Sequence, residues 1–291
     1  MDELRKDYPL NLILDVLHIN KTAYYYWKNK TNNLLEKKIA LFQKILQAYH
    51  DVNGIYGAKR IAKNLVAEGT NCSTSKVSRI MRFLGIKSIV RTKFPYRKSS
   101  LTEEERAKVV NLIKGLKITR PNQVWTMDIT YIKTKTHGYL YLITYIDAFS
   151  RRIVGWGLKP DQKTESILAV LKTAVKERQP APGLIIHSDK GSQMRSKAYR
   201  DYCEGRNIVL SYTSWNHSCD ENAMQESFHA SLKKEAIYQR KPETIEDAYE
   251  TIYNYIECFY NPKRLHSALN YLSPITFEQK NSPNCQYNYL T

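Results

Sequence analysis

Two neighbouring segments rich in β-branched and aromatic residues constrain the fold of this chain more than any other feature. Residues 124–133 (VWTMDITYIK) and 139–149 (YLYLITYIDAF) have the composition of β-strands, and a short turn at residues 135–138 separates them. The segment RRIVGWGL, residues 151–158, follows directly. We therefore predict an antiparallel meander of three strands in the middle of the chain.

After this meander, short apolar segments alternate with segments of helical period. The predicted elements are a helix over residues 164–178, a strand over 183–188, a helix over 196–205, a strand over 207–212 and a helix that carries Glu226. Strands that first pair antiparallel and are then joined through helices form a mixed sheet. The sequence thus predicts an α/β domain in this part of the chain.

The first 90 residues are predicted to be all-helical. Residues 8–28 indicate a short helix, a turn at Ile19 and Asn20, and a second helix, which is similar to a small helix-turn-helix. We expect a break at Asn32 and Asn33, followed by a helix with apolar residues at a 3.6-residue period.

Two further helices are predicted before residue 90. The first ends at Gly69, and the second begins at Ser73 or Thr74 and ends at Gly85. In the second helix, the side chains expected to pack inward are Ile80, Met81, Phe83 and Leu84. A short-turn helix pair with a basic second member is the layout of a major-groove reader, although a plain three-helix bundle has the same pattern.

Basic residues concentrate near the start of the chain, whose formal net charge is +17. Residues 1–100 hold 19 Lys and Arg against 7 Asp and Glu, and residues 70–101 contain no acid. This favours a surface that follows DNA phosphates, with a solvated basic face as the alternative. The candidate DNA-binding residues here are Lys76, Arg79, Arg82, Lys87, Arg91, Lys93, Arg97 and Lys98. We expect an extended basic arm over residues 86–100 and a linking helix over residues 102–116.

The remaining composition excludes several classes of protein. Five scattered cysteines without a C-x-x-C pair indicate reduced thiols rather than disulfides or a zinc site. No apolar run approaches the roughly 20 residues that a membrane helix requires. The first residues also lack the layout of a signal peptide. We expect a cytoplasmic protein that is not associated with membranes.

Three acidic residues stand out by their contexts. Asp128 lies within an otherwise apolar strand, where a buried unpaired carboxylate costs several kcal/mol. Asp189 follows a short strand, and strand ends are where α/β sheets place their chemistry. Glu226 lies near the start of a helix, and the residues on the same helix face are Asn222, His229 and Lys233. Taken singly, each acid has an alternative: an ion pair for Asp128, a turn for Asp189 and a solvated position for Glu226.

Three converging carboxylates suit metal-dependent chemistry on phosphodiesters. Mg²⁺ prefers oxygen ligands, and two ions about 3.5–4 Å apart can activate an attacking oxygen and stabilise a leaving one. We therefore expect two Mg²⁺ ions, for which Mn²⁺ could substitute, in a chain whose positive charge favours nucleic acid.

Four ordered motifs resemble the OrfB transposases of the IS-three family of insertion sequences. The motifs are WTMDITYI (125–132), HSDKGSQ (187–193), DENAMQESFHASLKKE (220–235) and YNPKRLHSALNYLSP (260–274). The upstream stretches GIYGAKRI (54–61) and STSKVSRIMRFLGI (73–86) resemble the helix-turn-helix module of the same family. This resemblance implies a ribonuclease-H-like mixed sheet of the retroviral integrase superfamily, preceded by an all-α region.

The resemblance also implies a division of the chain. The expected parts are a short helical segment (1–33), a helix-turn-helix DNA-binding domain (34–90), a basic arm with a linker helix (91–118), an integrase catalytic core (119–278) and a C-terminal tail (279–291).

By the same resemblance, Asp128, Asp189 and Glu226 form a catalytic triad that binds the metal ions, and Lys233 contacts DNA. The supporting positions of the active site are His187, Gln193, Asn222 and His229. One departure concerns spacing: 36 residues lie between Asp189 and Glu226, where the family usually has 35. Glu221 is the competing candidate for the third acid, but Phe228 rather than a basic residue lies seven positions after it.

The implied reaction is strand cleavage at the ends of an insertion sequence, followed by attack of the 3′-OH on another phosphodiester without a covalent protein–DNA intermediate. The implied partners are the terminal inverted repeats, target DNA, further copies of this chain, and OrfA as a partner or upstream fusion. Two alternatives remain open: a DNA-binding regulator with an impaired core, and a nuclease of this fold that hydrolyses without joining.

Overall fold

The computed structural model describes residues 4–90, 111–189, 191–213 and 222–281. The chain forms two compact units, Met1–Ile89 and Val90–Thr291. Residues 91–100 of the predicted basic arm (86–100), and most of the predicted linking helix (102–116), lie outside the described residues.

The first unit is helical, as predicted. After a 3₁₀ turn at Leu4–Lys6, its helices are α1 (Leu10–Val16), α2 (Lys21–His50), α3 (Ala58–Ala67) and α4 (Thr74–Phe83). Asn20 caps α2 by accepting a hydrogen bond from the Thr22 amide at 2.8 Å. Ser73 caps α4 by accepting one from the Lys76 amide at 3.2 Å. Polar residues thus begin both helices, as the sequence indicates.

The predicted break at Asn32 and Asn33 is wrong, because α2 continues from Lys21–His50 without interruption. Asparagine lowers helix propensity by less than about 1 kcal/mol per residue, whereas glycine and proline are the stronger helix breakers. Neither glycine nor proline occurs within these residues. Two adjacent asparagines were therefore too weak a signal for a helix end.

The inward face of α4 differs from the prediction at one residue. Val77, Ile80 and Met81 are buried, but the side chain of Phe83 is 78% exposed. Residues three and four positions apart share a helix face, so Val77, Ile80 and Met81 lie on one face of α4. Phe83 is six positions after Val77 and lies off this face. Phe83 contacts Phe42 of α2, with ring centroids 5.7 Å apart.

The predicted helix over residues 102–116 is also wrong in its described part, because residues 111–116 form a turn. The Asn111 side chain accepts hydrogen bonds from the amides of Ile113 and Lys114, at 3.0 and 3.1 Å. Gly115 has a φ of +78°. An asparagine side chain that satisfies nearby amides competes with helix formation.

The second unit contains the predicted mixed sheet, with five strands in the order β3-β2-β1-β4-β5. The strands are β1 (Val124–Thr134), β2 (Gly138–Asp147), β3 (Ile153–Lys159), β4 (Ile185–Ser188) and β5 (Val209–Tyr212). The first three pair antiparallel, and β4 joins β1 and β5 in parallel. The meander and the two crossover strands are confirmed.

Helices cover both faces of this sheet. On one face, α5 (Thr164–Arg178) and α6 (Lys197–Glu204) enclose a core that includes Trp125, Met127 and Leu171. A Cβ at Gly155 would lie 2.5 Å from the Cβ of Ala174, and one at Gly157 would lie 2.6 Å from Val170. Glycine at these positions allows α5 to pack closely on β3.

On the other face, α7 (Ala223–Leu232) continues through a π-helical turn at Lys233–Ile237 into the short helix α8 (Tyr238–Arg240). It is followed by α9 (Ile245–Tyr253), a π-helical segment at Asn254–Tyr260, a 3₁₀ turn at Ser267–Leu269 and α10 (Pro274–Asn281). Ile132, Phe228 and Ile252 belong to the core on this side.

Candidate active site

The register of two parallel strands brings the first two acids to the same edge of the sheet. Thr126 of β1 pairs with His187 of β4. Asp128 and Asp189 each lie two residues beyond this pair, at the carboxyl end of β4. Because parallel strands advance by the same distance per residue, this register places both residues at one level of the sheet.

The third acid approaches from α7. Gln225 of this helix donates a hydrogen bond from Nε2 to the carbonyl oxygen of Thr126 at 2.7 Å, which holds the first turn of α7 against β1. Glu226 is the next residue, and its side chain is exposed, as is that of Asp189.

The charges of Asp189 and Glu226 both act on the carboxylate of Asp128. Burial, together with the negative charges of Asp189 and Glu226, raises the pKa of Asp128 to about 7, although a hydrogen bond from the Ile129 amide and the charge of Lys233 act in the opposite direction. Within the described ranges, no group of three or more His, Cys, Asp or Glu side chains has the geometry to hold a metal ion.

The imidazole of His229 is neutral and contacts Asp128. Its Nδ1 lies 3.5 Å from Oδ2 of Asp128, and its side chain is buried. Burial lowers the pKa of His229 to about 3, and the charge of Lys233 acts in the same direction. The contact is therefore a polar contact with a neutral imidazole at neutral pH, and not an ion pair.

A buried polar chain fixes α7 to the strand pair that carries Asp128. Thr144 of β2 lies directly opposite Asp128 in the antiparallel register. Its hydroxyl donates to Oε1 of Gln225 at 2.9 Å and lies 3.1 Å from Nε2 of His229. Gln225 is fully buried, so these bonds determine how α7 lies over β1 and β2.

Gln225 and Thr144 are not among the site residues predicted from the sequence. The available signals were a threonine inside an apolar strand and a glutamine four residues before His229 on a helix. Neither signal has meaning until the register of β1 with β2 is known.

We expect Gln225→Leu to lower the free energy of unfolding by about 1–3 kcal/mol, because the Thr144 hydroxyl and the carbonyl oxygens of Thr126 and Thr144 lose their hydrogen bonds to the buried Gln225 side chain. Urea denaturation measures the change. Gln239→Leu is the matched control, since the Gln239 side chain also donates to a backbone carbonyl, that of Lys234, but at an exposed position. Equal stability of both variants would show that the buried chain contributes nothing.

Lys233 lies at the border of the site. Its Nζ is 4.5 Å from the ring centroid of Tyr131, on β1. Burial lowers the pKa of Lys233, and the charge of Asp128 opposes this. The ammonium group is thus within electrostatic reach of the acids, where it can meet a phosphate.

The remaining predicted site residues lie at different depths. His187 is buried, with Nδ1 2.9 Å from the Ser211 hydroxyl of β5. Gln193 is half-buried in the loop after Asp189, and Asn222 is buried immediately before α7. Glu221 lies outside the described residues, so its position is not compared with that of Glu226.

Only some of the basic residues predicted to bind DNA lie in the described part of the chain. The side chains of Lys76, Arg79, Arg82 and Lys87 are exposed on and after α4. Arg91, Lys93, Arg97 and Lys98 lie outside the described residues.

The fourth sequence motif supports the fold behind the site. Arg264 forms a bidentate pair with Glu235, with nitrogen–oxygen distances of 2.8 and 2.6 Å, and Tyr255 donates to the same carboxylate at 2.6 Å. All three side chains are buried. Glu235 is two residues after Lys233, so this network anchors the π-helical turn from which Lys233 extends.

Comparison with known families agrees with this architecture. Residues 118–218 and residues 226–281 match families described as "Integrase core domain", and residues 36–94 match an "HTH-like domain". The fold and the site therefore define an integrase-core protein with a ribonuclease-H-like sheet and a helical N-terminal region.

Similar proteins narrow this class. The chain is 38% identical over 249 residues to the transposase for insertion sequence element IS904 of Lactococcus lactis, covering 85% of this chain and 96% of that protein. It is 30% identical over 289 residues to the transposase InsF for insertion sequence IS3A of Escherichia coli, covering 97% and 98%. The chain belongs to the transposases of the IS3 family of insertion sequences, and is a DDE-type, integrase-like polynucleotidyl transferase.

Among solved structures, the catalytic core domain of HTLV-2 integrase, in complex with magnesium, aligns with a TM-score of 0.43 and 15% identity. The alignment covers 56% of this chain and 99% of that one.

No helix within the described residues is both long and apolar enough to span a membrane.

Proposed function

We propose that this transposase cuts DNA at the ends of its insertion sequence and joins the resulting 3′-OH to a second phosphodiester, using divalent metal ions held by Asp128, Asp189 and Glu226. The observation that carries the proposal is the pairing of Thr126 with His187, which sets two acids at one level of the sheet. Glu226 lies close enough for its negative charge to raise the pKa of Asp128.

The donor set fits Mg²⁺. The candidate ligands are carboxylate oxygens from three separate elements, and oxygen is the donor that Mg²⁺ prefers. Burial is the main cause of the raised pKa of Asp128, and the negative charges of Asp189 and Glu226 add to it, so a bound cation would favour the ionised carboxylate. When bound, two Mg²⁺ ions, or Mn²⁺ in their place, would supply Lewis acidity at the attacking and leaving oxygens.

In the joining step, the 3′ oxygen forms a bond to phosphorus while the bond from phosphorus to the leaving 3′ oxygen of the target strand breaks. The proton of the attacking hydroxyl passes to solvent, and a proton from solvent reaches the leaving oxygen. One phosphodiester replaces another, so no covalent protein–DNA intermediate is needed. Lys233 would stabilise the phosphate charge, and neutral His229 would hold Asp128 in position.

A joining assay with a pre-cut end tests this proposal. A duplex that ends in the terminal repeat with a free 3′-OH is incubated with the protein, a target plasmid and Mg²⁺. The proposal predicts joined products. Shortened strands without joined products would favour the hydrolysing nuclease, and DNA binding without either product would favour the regulator.

We propose that α4 reads DNA with the exposed residues of its basic side. Its side chains Lys76, Arg79 and Arg82 are three residues apart and exposed, and the helix is capped at Ser73 and tied to α3 by packing of its opposite face. A capped helix with a basic outer face matches a helix that enters the major groove.

Neutralising Arg79, Arg82 and Lys87 together with glutamine should weaken DNA binding and flatten its dependence on salt. The slope of log K against log salt is negative, and each lost phosphate contact makes it shallower by about 0.9. Binding titrations over a range of salt concentrations measure the slope. The double variant Lys37→Gln and Lys38→Gln, at exposed positions of α2, is the control. An unchanged slope in the triple variant would assign these residues to a solvated face.

The proposed partners are the terminal inverted repeats, target DNA and further copies of the chain that hold two ends together on nucleoid DNA in the cytoplasm. We propose OrfA as a further partner, either as a separate protein or as an upstream fusion.

A further inference from the structure

A groove with a volume of about 750 Å³ borders Lys233. The β1–β2 hairpin lines one wall, and the π-helical turn, α8 and the residues through Pro242 line the other. Parallel pairing with β4 covers only residues 124–126 of β1, and among the described residues no other strand pairs with this edge. The groove therefore lies along an open strand edge that leads away from the acids.

The groove presents three exposed aromatic side chains. Tyr131, Tyr139 and Tyr238 are 59%, 55% and 57% exposed. Tyr131 and Tyr139 meet edge to face, with ring centroids 5.4 Å apart. Large aromatic surfaces clustered in one groove indicate a binding site more than a packing defect.

Lysines are interleaved with these rings. Lys233 lies over Tyr131 at 4.5 Å, and Lys133 lies over Tyr139 at 5.9 Å from Nζ to the ring centroid. Lys241 contributes a third ammonium group to the lining. Alternating cations and rings suit a ligand that offers phosphates and flat bases together.

The two walls of the groove are joined, so its shape exists before any ligand binds. The amide and the hydroxyl of Thr136 both donate to the carbonyl oxygen of Glu243, at 3.0 and 2.7 Å. Lys135 forms an ion pair with the Glu243 carboxylate. The carboxylate at this rim is thereby neutralised, which leaves the lysines to set the charge of the groove.

We infer that this groove binds a short single-stranded DNA segment that extends from the reacting phosphodiester, with bases stacked on Tyr131 and Tyr238 and phosphates near Lys233 and Lys241. Double-stranded DNA keeps its bases stacked on one another and cannot offer them to the tyrosines, whereas unpaired bases can. The inference rests on the proposed function, since it assigns a strand of that same substrate.

Equilibrium binding without divalent metal tests the inference separately from catalysis. The probes are a blunt duplex and the same duplex with a single-stranded extension that contains 2-aminopurine. We expect the extension to tighten binding and 2-aminopurine fluorescence to fall on stacking. The double variant Tyr131→Ala and Tyr238→Ala should lose about thirtyfold or more in affinity for the extended duplex and keep its affinity for the blunt one.

Two further variants keep the test decisive. Tyr131→Phe with Tyr238→Phe retains the rings and should retain the gain from the extension. Tyr249→Ala removes another half-exposed tyrosine of the same unit, outside the groove, and should match the wild type.

The inference is overturned if the extension gives no gain, as expected for a groove that takes an apolar protein segment, or if the alanine variant weakens both duplexes equally. Joining of a blunt pre-cut end by the wild type would then leave the proposed function standing. Extension-dependent binding without any joining would count against the proposed function and support the groove.

Discussion

Asp189→Asn is expected to abolish Mg²⁺-dependent strand transfer while leaving the affinity for DNA nearly unchanged. Asp189 is exposed at the end of β4, so an isosteric amide leaves no buried cavity and should not disturb folding. The change removes one anionic ligand from the proposed metal site. Loss of several kcal/mol of transition-state stabilisation corresponds to roughly a thousandfold or more in rate.

The measurement pairs the joining assay on pre-cut ends with a DNA-binding titration. Asp201→Asn, on an exposed turn of α6, makes the same change of charge away from the site and should behave as the wild type. Glu226→Gln should match Asp189→Asn, and Glu221→Gln should not. Wild-type joining rates in Asp189→Asn would remove this residue from the catalytic assignment.

Asp128→Asn is expected to abolish the same activity and yet to stabilise the metal-free protein at pH 8. Burial, together with the charges of Asp189 and Glu226, raises the pKa of Asp128 from 3.8 to about 7. The folded state therefore holds a proton that the unfolded state releases. The contribution of Asp128 to stability is complete below 3.8 and is lost as the pH rises through about 7.

At pH 8 the buried carboxylate is ionised, and its neutral isostere should raise the free energy of unfolding by about 2–4 kcal/mol. His229 acts with the opposite sign: its pKa is lowered to about 3, so its burial costs stability as the pH falls below 6.5. Both proteins contain His229, so its contribution largely cancels when the free energy of unfolding of Asp128→Asn is compared with that of the wild type.

Urea denaturation in EDTA at pH 5 and pH 8 measures this effect, with Asp201→Asn as the surface control. Mg²⁺ should restore stability to the wild type at pH 8 and add little to Asp128→Asn, because the metal replaces the missing proton as the counter-charge. A variant less stable than the wild type at pH 8 would show that the carboxylate is already compensated by protein groups.

Local sequence signals predicted most elements of the fold. Strands with β-branched and aromatic residues, and helices that begin at Asn20 and Ser73, formed where the sequence indicated. The errors have a common cause, since a weak local signal was given too much weight. Asn32 and Asn33 did not end α2, and hydrophobicity alone did not bury Phe83.

The candidate site was less accessible to sequence reasoning. The acids were singled out by their contexts and by resemblance to a family, and their roles remain a proposal. Gln225 and Thr144 were missed because the hydrogen bond between them joins residues 81 positions apart. The groove beside Lys233 is not predicted from the sequence, because Tyr131 and Tyr238 line one groove only after β1 and α8 are packed.

The sequence by itself determined the elements, the charge of the chain and the family to which it belongs, because these depend on local propensity and on the order of motifs. Only the tertiary structure decided which polar groups act together. Strand register set Asp128 level with Asp189 and opposite Thr144. Packing of α7 then brought Glu226, His229 and Lys233 to the same edge, and burial there raised the pKa of Asp128.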